Sequence, residues 1–276
     1  MKPDLDNIKQ QVQLALEEDI GNGDVTANLL DPTQVSSAKV ITRESGVLCG
    51  RQWFDQCFLQ VDSNVKIDWQ CKDGDAITEG QVLCTLTGST QSLLTAERAA
   101  LNFLQTLSAT ASITQHYVAA LAGTDVKILD TRKTIPGLRL AQKYAVACGG
   151  GMNHRIGLYD MILIKENHIA SCGSVAAAIK KAQNNNQECE VEIEVESLDE
   201  LKQALDAGAK RVLLDNFARE DLVTAVSINQ QRAKLEVSGN ITLDNIADIA
   251  HTGIDYISSG AITKNIQALD LSMQLY

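Results

Sequence analysis

Residues 190–215 read EVEIEVESLDELKQALDAGAKRVLLD, and the fold follows from this stretch. Glu190, Glu192, Glu194 and Glu196 alternate with Val191, Ile193 and Val195. A period of two gives a β-strand one polar and one apolar face. Ser197 and Glu200 then stand at capping-box spacing, a helical pattern runs over 197–207, and Gly208 supplies its stop. A second strand pattern, 211–215 (RVLLD), closes the stretch. Strand, helix and strand in so short a length form a βαβ unit, whose strands are parallel.

The unit recurs outward in both directions. Strand patterns lie at 126–130 (VKILD), 161–165 (MILIK), 190–195, 211–215, 234–238 (KLEVS) and 254–259 (IDYISS). Helical patterns at 174–183, 219–228 and 242–251 separate the later ones. Glu194 to Asp215 is 21 residues, Asp215 to Ser238 is 23 and Ser238 to Ser259 is 21. This βα period suits an α/β barrel of the TIM type or an open doubly wound sheet.

In both folds ligands gather at the carboxyl ends of the strands. Here every such end is polar: Asp130-Thr131-Arg132-Lys133, Lys165-Glu166-Asn167-His168, Glu194-Val195-Glu196, Asp215-Asn216, Ser238-Gly239-Asn240 and Ser259-Gly260-Ala261. The acidic face of 190–196 admits two readings. On a lone edge strand it faces water; in a barrel it points inward, where buried carboxylates need cations. Arg132, Lys133, His154, Arg155 and Lys165 are the candidates, and their concentration implies a small polyanionic ligand unless they are scattered surface charges. Gly149-Gly150-Gly151, just before His154, allows close backbone approach and lacks the spacing of a dinucleotide fingerprint. The two late Ser-Gly turns suit a phosphate cradle. Arg139 and Lys143, four residues apart, read as a solvated helix face.

The first half differs. Residues 5–18 form an amphipathic helical pattern (Leu5, Ile8, Val12, Leu16), 38–87 reads as short strands broken by turns, and 93–122 is helical with Leu93, Leu94, Leu101, Leu104 and Leu107 as core candidates. The expected organisation is an N-terminal α+β domain over 1–108 and a barrel over 109–264, with a last helix at 265–275 packing on either. A net charge of −11 disfavours a nucleic-acid partner. The seven cysteines, without a C-x-x-C pair, fit free thiols in a reducing cytoplasm better than disulfides or zinc. The polar, acidic N-terminus, Met1-Lys2-Pro3-Asp4, does not read as a signal peptide, and no apolar run reaches the ~18 residues of a membrane span.

Leu129-Asp130-Thr131-Arg132-Lys133-Thr134-Ile135-Pro136-Gly137-Leu138-Arg139 closely resembles the signature of the quinolinate phosphoribosyltransferases, also called nicotinate-nucleotide pyrophosphorylases (carboxylating). The resemblance continues through 149–155 (GGGMNHR), 164–168 (IKENH), 192–195 (EIEV), 214–216 (LDN), 237–239 (VSG) and 259–261 (SGA), and in the first half through 18–26 (EDIGNGDVT) and 97–102 (ERAALN). It implies an N-terminal α/β sandwich and an incomplete, open barrel of seven strands, one more than the pattern shows. It implies transfer of phosphoribose from phosphoribosyl pyrophosphate to quinolinate, giving nicotinate mononucleotide, pyrophosphate and CO2, with Mg2+ carried by the pyrophosphate. By the same resemblance Arg132, His154 and Arg155 hold quinolinate with Thr131 beside them, and Lys133 and Lys165 are shared with the donor. Glu194 and Asp215 hold ribose hydroxyls and magnesium-bound water, and with Lys165 form the catalytic set. Ser238, Gly239, Asn240, Ser259, Gly260 and Ala261 receive the 5′-phosphate. Arg98 arrives from a second subunit of a homodimer or hexamer.

Lys264 departs from the pattern, since some relatives have histidine there. Asp73 to Leu83 resembles a biotinyl-type hammerhead without a lysine to modify, which makes it structural. Two rivals stay open: a phosphoribosyltransferase with another acceptor, and a non-catalytic metabolite-binding protein on the same fold. A Schiff-base role for Lys165 is disfavoured by its charged surroundings.

Overall fold

The computed structural model describes residues 4–185 and 189–276; Met1–Pro3, where the polar N-terminal stretch begins, lie outside it. The chain forms two compact units. The first comprises Met1–Gln115, Ile135–Gly150 and Asn265–Tyr276, the second His116–Thr134 and Gly151–Lys264.

In the first unit, α1 (Leu5–Ile20) starts where the Asp4 carboxylate accepts the Asp6 N–H, and it buries Ile8, Val12 and Leu16. Strands β1 (Val35–Thr42) and β2 (Gly46–Val47) lead to α2 (Arg51–Val61). That helix corrects the reading of 38–87 as strands alone. Trp53, Phe54, Cys57 and Phe58 recur at helical spacing and are all buried; their β-forming character masked the period of 3.6. Next come β3 (Lys66–Trp69), β4 (Ala76–Ile77), β5 (Val82–Ser89) and the long α3 (Thr90–Ala120). Of the α3 leucines expected in the core, Leu93, Leu101, Leu104 and Leu107 are buried and Leu94 is exposed. Asp73, in the hammerhead-like segment, accepts N–H bonds from Gly50 and Arg51 at the start of α2, a structural task.

Helix α4 (Arg139–Cys148) belongs to this unit, because Ala141 and Ala145 complete its core. In packing, 135–150 thus groups with the first unit although it follows residue 108 in sequence. Lys143 on this helix is fully buried, not solvated; charge spacing along a helix says nothing about what covers it.

In the second unit, β6 (Lys127–Leu129), β7 (Ile162–Ile164), β8 (Val191–Val195), β9 (Arg211–Asp215), β10 (Lys234–Ser238) and β11 (Tyr256–Ser258) form one sheet in the order β6-β11-β10-β9-β8-β7. Every pairing is parallel. The first and last of these strands are neighbours, so the sheet curls as a barrel does, but it does not close. On the free edge of β6 the missing seventh strand is reduced to one parallel bridge, Leu129 with Met152, made by two backbone hydrogen bonds. Gly149–Gly151, immediately before it, explains why pairing goes no further.

The helices of this unit are α5 (Glu166–Cys172), α6 (Val175–Asn185), α7 (Leu198–Asp206), α8 (Arg219–Asn229), α9 (Ile246–Ala250) and α10 (Ala261–Lys264). At α7 half of the expected capping box forms: Ser197 Oγ accepts the Glu200 N–H at 3.2 Å, while the Glu200 carboxylate accepts the N–H of Glu196, one residue before the cap, at 2.8 Å. The chain ends in the first unit with β12 (Leu271–Leu275), antiparallel to β1. This corrects the expected helix over 265–275. Leu271, Met273 and Leu275 have a period of two, which outweighs the helix propensity of Leu, Met and Gln. With β12 the sheet of the first unit runs β12-β1-β5-β3.

Candidate active site

The second unit holds a cavity of ≈ 410 Å³ among the carboxyl ends of its strands. Register fixes which side chains enter it. Pairing of Glu194 with Leu213, of Leu213 with Glu236 and of Glu236 with Tyr256 sets one inward parity across four strands. Glu192 and Glu194, Arg211 and Asp215, Glu236 and Ser238, and Ser258 share it. Ile193 and Val195 have the opposite parity and are buried on the side of α6 and α7. Of the two readings of the acidic strand, the inward one holds.

At the rim, Lys165 ends β7 and its ammonium bonds the Glu194 carboxylate. The Lys165 side chain is 42% exposed and that of Glu194 11%, so the pair is open to exchange with a ligand. His168, one turn on, accepts the Lys165 N–H at 3.0 Å and shapes the strand–helix turn. Asp215 accepts from Ser238 Oγ at 2.5 Å and from Asn216 Nδ2 at 2.8 Å. Arg132 and Arg155 are close enough that Arg132, after burial, helps lower the Arg155 pKa. Asp160, Glu192 and Glu194 act in the opposite direction, and two guanidiniums lining one cavity suit an anionic ligand.

Below them lies a fully buried floor. Arg211 forks to two carboxylates, Nε to Glu192 Oε1 at 3.0 Å and Nη2 to Glu236 Oε2 at 2.6 Å, both glutamates being 0% exposed. Burial works against the Arg211 charge, but Glu192 and Glu236 hold it in place. His154 Nδ1 accepts the Arg155 N–H at 2.7 Å. Its Nε2 stands 2.8 Å from Glu192 Oε2 and 3.5 Å from Glu236 Oε1, within reach of both acids. Burial raises the Glu192 pKa against the pull of Arg211. Burial and the Glu192 charge push Glu236 up to about 7. His154, Glu192 and Glu236 offer ligand atoms within 4.8 Å of one another, but the guanidinium already spans both carboxylates, which disfavours a metal there.

Nine of the residues expected in the site line this cavity: Thr131, Arg132, Lys133, His154, Arg155, Lys165, Glu194, Asp215 and Ser238. Gly239, Asn240, Ser259, Gly260 and Ala261 stand outside its wall. Gly239 has φ +92°, and a Cβ there would come 2.1 Å from Asn216 Oδ1. Gly260 makes room for the Lys133 stem, 2.8 Å from where its Cβ would be. Ser259 Oγ accepts the Ala261 N–H, and the serine that faces the cavity is Ser258. Arg98 lies exposed on α3 in the first unit. The sequence reading missed Arg211, Glu236 and Ser258. The signal was available: carrying the parity of Glu192 and Glu194 onto RVLLD, KLEVS and YISS selects all three.

The family model described as quinolinate phosphoribosyl transferase, N-terminal domain, matches residues 24–108, and that for the C-terminal domain matches 110–274. The chain belongs to the quinolinate phosphoribosyltransferase family. A decarboxylating quinolinate phosphoribosyltransferase of Nicotiana tabacum is 38% identical over 98% of this chain and 82% of its own length. Among solved structures, the nicotinate-nucleotide pyrophosphorylase of Francisella tularensis is 48% identical with a TM-score of 0.96, covering 100% of this chain and 98% of its own. NadC of Streptococcus pyogenes is 41% identical with a TM-score of 0.97, covering 100% and 99%. Within the family frame, Lys264 is exposed at the end of α10.

Proposed function

We propose that this cavity transfers phosphoribose from phosphoribosyl pyrophosphate to quinolinate and releases CO2, forming nicotinate mononucleotide and pyrophosphate for NAD biosynthesis. The observation that carries this reading is the convergence of Arg132, Lys133, Arg155 and Lys165 on one cavity of a chain from this family. Arg132 and Arg155 take the two carboxylates of quinolinate, with the His154 ring as the wall that sets their spacing and Thr131 beside them. Lys165 leaves Glu194 for the substrates, and Lys133 faces the donor. The freed Glu194, with Asp215, accepts the ribose hydroxyls and stabilises positive charge as the bond from C1 to pyrophosphate loosens. The pyridine nitrogen then bonds C1. Its formal positive charge stabilises the electron pair left on the ring carbon as CO2 departs, and a proton replaces the CO2. No protein nucleophile is required.

Magnesium fits this arrangement when carried by the pyrophosphate. Lys165 engages Glu194, while Ser238 and Asn216 engage Asp215, so these carboxylates suit contact with magnesium-bound water better than direct ligation. Ser238, Gly239, Asn240, Ser259, Gly260 and Ala261 are proposed for the 5′-phosphate through backbone N–H groups, as the Ser238 hydroxyl is engaged by Asp215. We further propose a homodimer or hexamer in which the exposed Arg98 serves a neighbouring subunit. Mixing Arg98→Ala with Glu194→Ala subunits should then restore activity, and verified exchange without recovery would refute sharing. No described helix is long and apolar enough to cross a membrane; a cytoplasmic location is proposed with the function.

Turnover tests the acceptor. With donor and Mg2+, quinolinate should be consumed with one CO2 released per pyrophosphate. Reaction with nicotinate alone, without CO2, would assign a different acceptor, and reaction with neither would leave a binding protein.

A further inference from the structure

The buried floor sets two acids on one guanidinium. Glu192 and Glu236 share that of Arg211, with the His154 ring beside both. Two carboxylates against one guanidinium leave one negative charge if both acids are ionised. The two acids are not equivalent. Glu192 has both oxygens filled by donors, Arg211 Nε on one and His154 Nε2 on the other. Glu236 has Oε2 on Arg211, while its Oε1 is buried, has no hydrogen-bond partner and stands 3.5 Å from His154 Nε2. Glu236 also lines the cavity that receives the anion.

The groups facing Glu236 come from every neighbouring element. From β8 come Glu192 and Glu194, with Glu190 reaching Arg211 at 3.6 Å. From β9 come Arg211 and Asp215, from β11 Tyr256 and Ser258, and from the turn after the Met152 bridge His154. Arg132, Lys133, Arg155 and Lys165 stand at the rim of the same cavity. In the empty site those rim cations favour the ionised form of Glu236. A polyanion takes up their charge and adds its own, so filling the site turns the balance against a second buried carboxylate.

We infer that Glu236 takes up a proton as the cavity takes its anionic substrate, so that occupancy of the site is coupled to protonation of this one side chain. The protonated Oε1 no longer repels the bound carboxylates and gains a hydrogen to donate. This rests on the reading of the site as a quinolinate site. The sign follows directly. In the empty site burial and the Glu192 charge push Glu236 up to about 7, and binding pushes it further in the same direction. Affinity is therefore full below about pH 7 and weakens by up to about tenfold per pH unit above it. Carboxylates such as those of quinolinate hold their charge across this range.

The test is calorimetric titration of quinolinate into the full chain at about pH 7.5 in two buffers of different ionisation enthalpy, repeated between about pH 6 and pH 9. The wild type should take up a fraction of a proton approaching one per site. In Glu236→Gln the uptake should fall to zero and the Kd should become flat with pH. An infrared difference spectrum of the wild type should show the band of a buried protonated carboxyl appearing on binding, which keeps the test decisive if the variant does not fold. Binding without proton uptake, uptake that persists in Glu236→Gln, or no such band would overturn the coupling alone. Absence of quinolinate binding at every pH would overturn the acceptor reading with it.

Discussion

Rim and floor of the cavity are built from the same residue types and solve opposite problems. At the rim, Lys165 and Glu194 meet in a pair that is 42% exposed on the lysine side, and Arg132 and Arg155 line the same cavity. One layer down, Glu192 and Glu236 are 0% exposed and Arg211 forks between them. The Lys165 charge is partly solvated, so a ligand can replace its present neighbour at modest cost. A floor charge has exchanged water for fixed protein donors and cannot change them without exposing a bare ion to low dielectric. Rim charges therefore serve binding, and floor charges hold the strands and His154 in place.

The largest effect that could break this division is on stability. Arg211→Ala leaves two buried carboxylates without their cation and should destabilise the fold by about 3–5 kcal/mol, read from the urea midpoint. An unchanged midpoint would mean that the floor is not held by this fork. Next, Arg155→Ala and Lys165→Ala should each lose about 2–4 kcal/mol of transition-state stabilisation in kcat/KM, with the urea midpoint nearly unmoved. Full activity with lost stability would exchange the roles of rim and floor. The smallest effect sharpens the border between them. Gly239→Ala places a Cβ 2.1 Å from Asn216 Oδ1 at φ +92° and should cost about 1–2 kcal/mol in thermal stability. Because Asn216 also bonds Asp215, KM for phosphoribosyl pyrophosphate should rise more than KM for quinolinate. Equal changes in both would separate this turn from the donor side.

The rim was legible in the sequence and the floor only in part. Strand ends rich in Arg, Lys, Glu and Asp announce themselves by position, because polar residues collect there in six places. Glu192 was visible through its alternation with Ile193. Arg211 and Glu236 belong to strands whose apolar residues dominate, and their role depends on register between strands, which is non-local. Local pattern also misled where propensity and period disagree, as at Trp53–Phe58 in α2 and Leu271–Leu275 in β12. Lys143 illustrates the same limit: its neighbours in sequence suggest solvent, and the packing of α4 buries it.

A crystal structure with quinolinate bound tests the division most directly. We expect the ring in the cavity of the second unit, its carboxylates on Arg132 and Arg155, the Lys165 ammonium drawn away from Glu194, and the fork from Arg211 to Glu192 and Glu236 unchanged. Quinolinate bound with the Lys165–Glu194 pair intact and the Arg211 fork opened would contradict it.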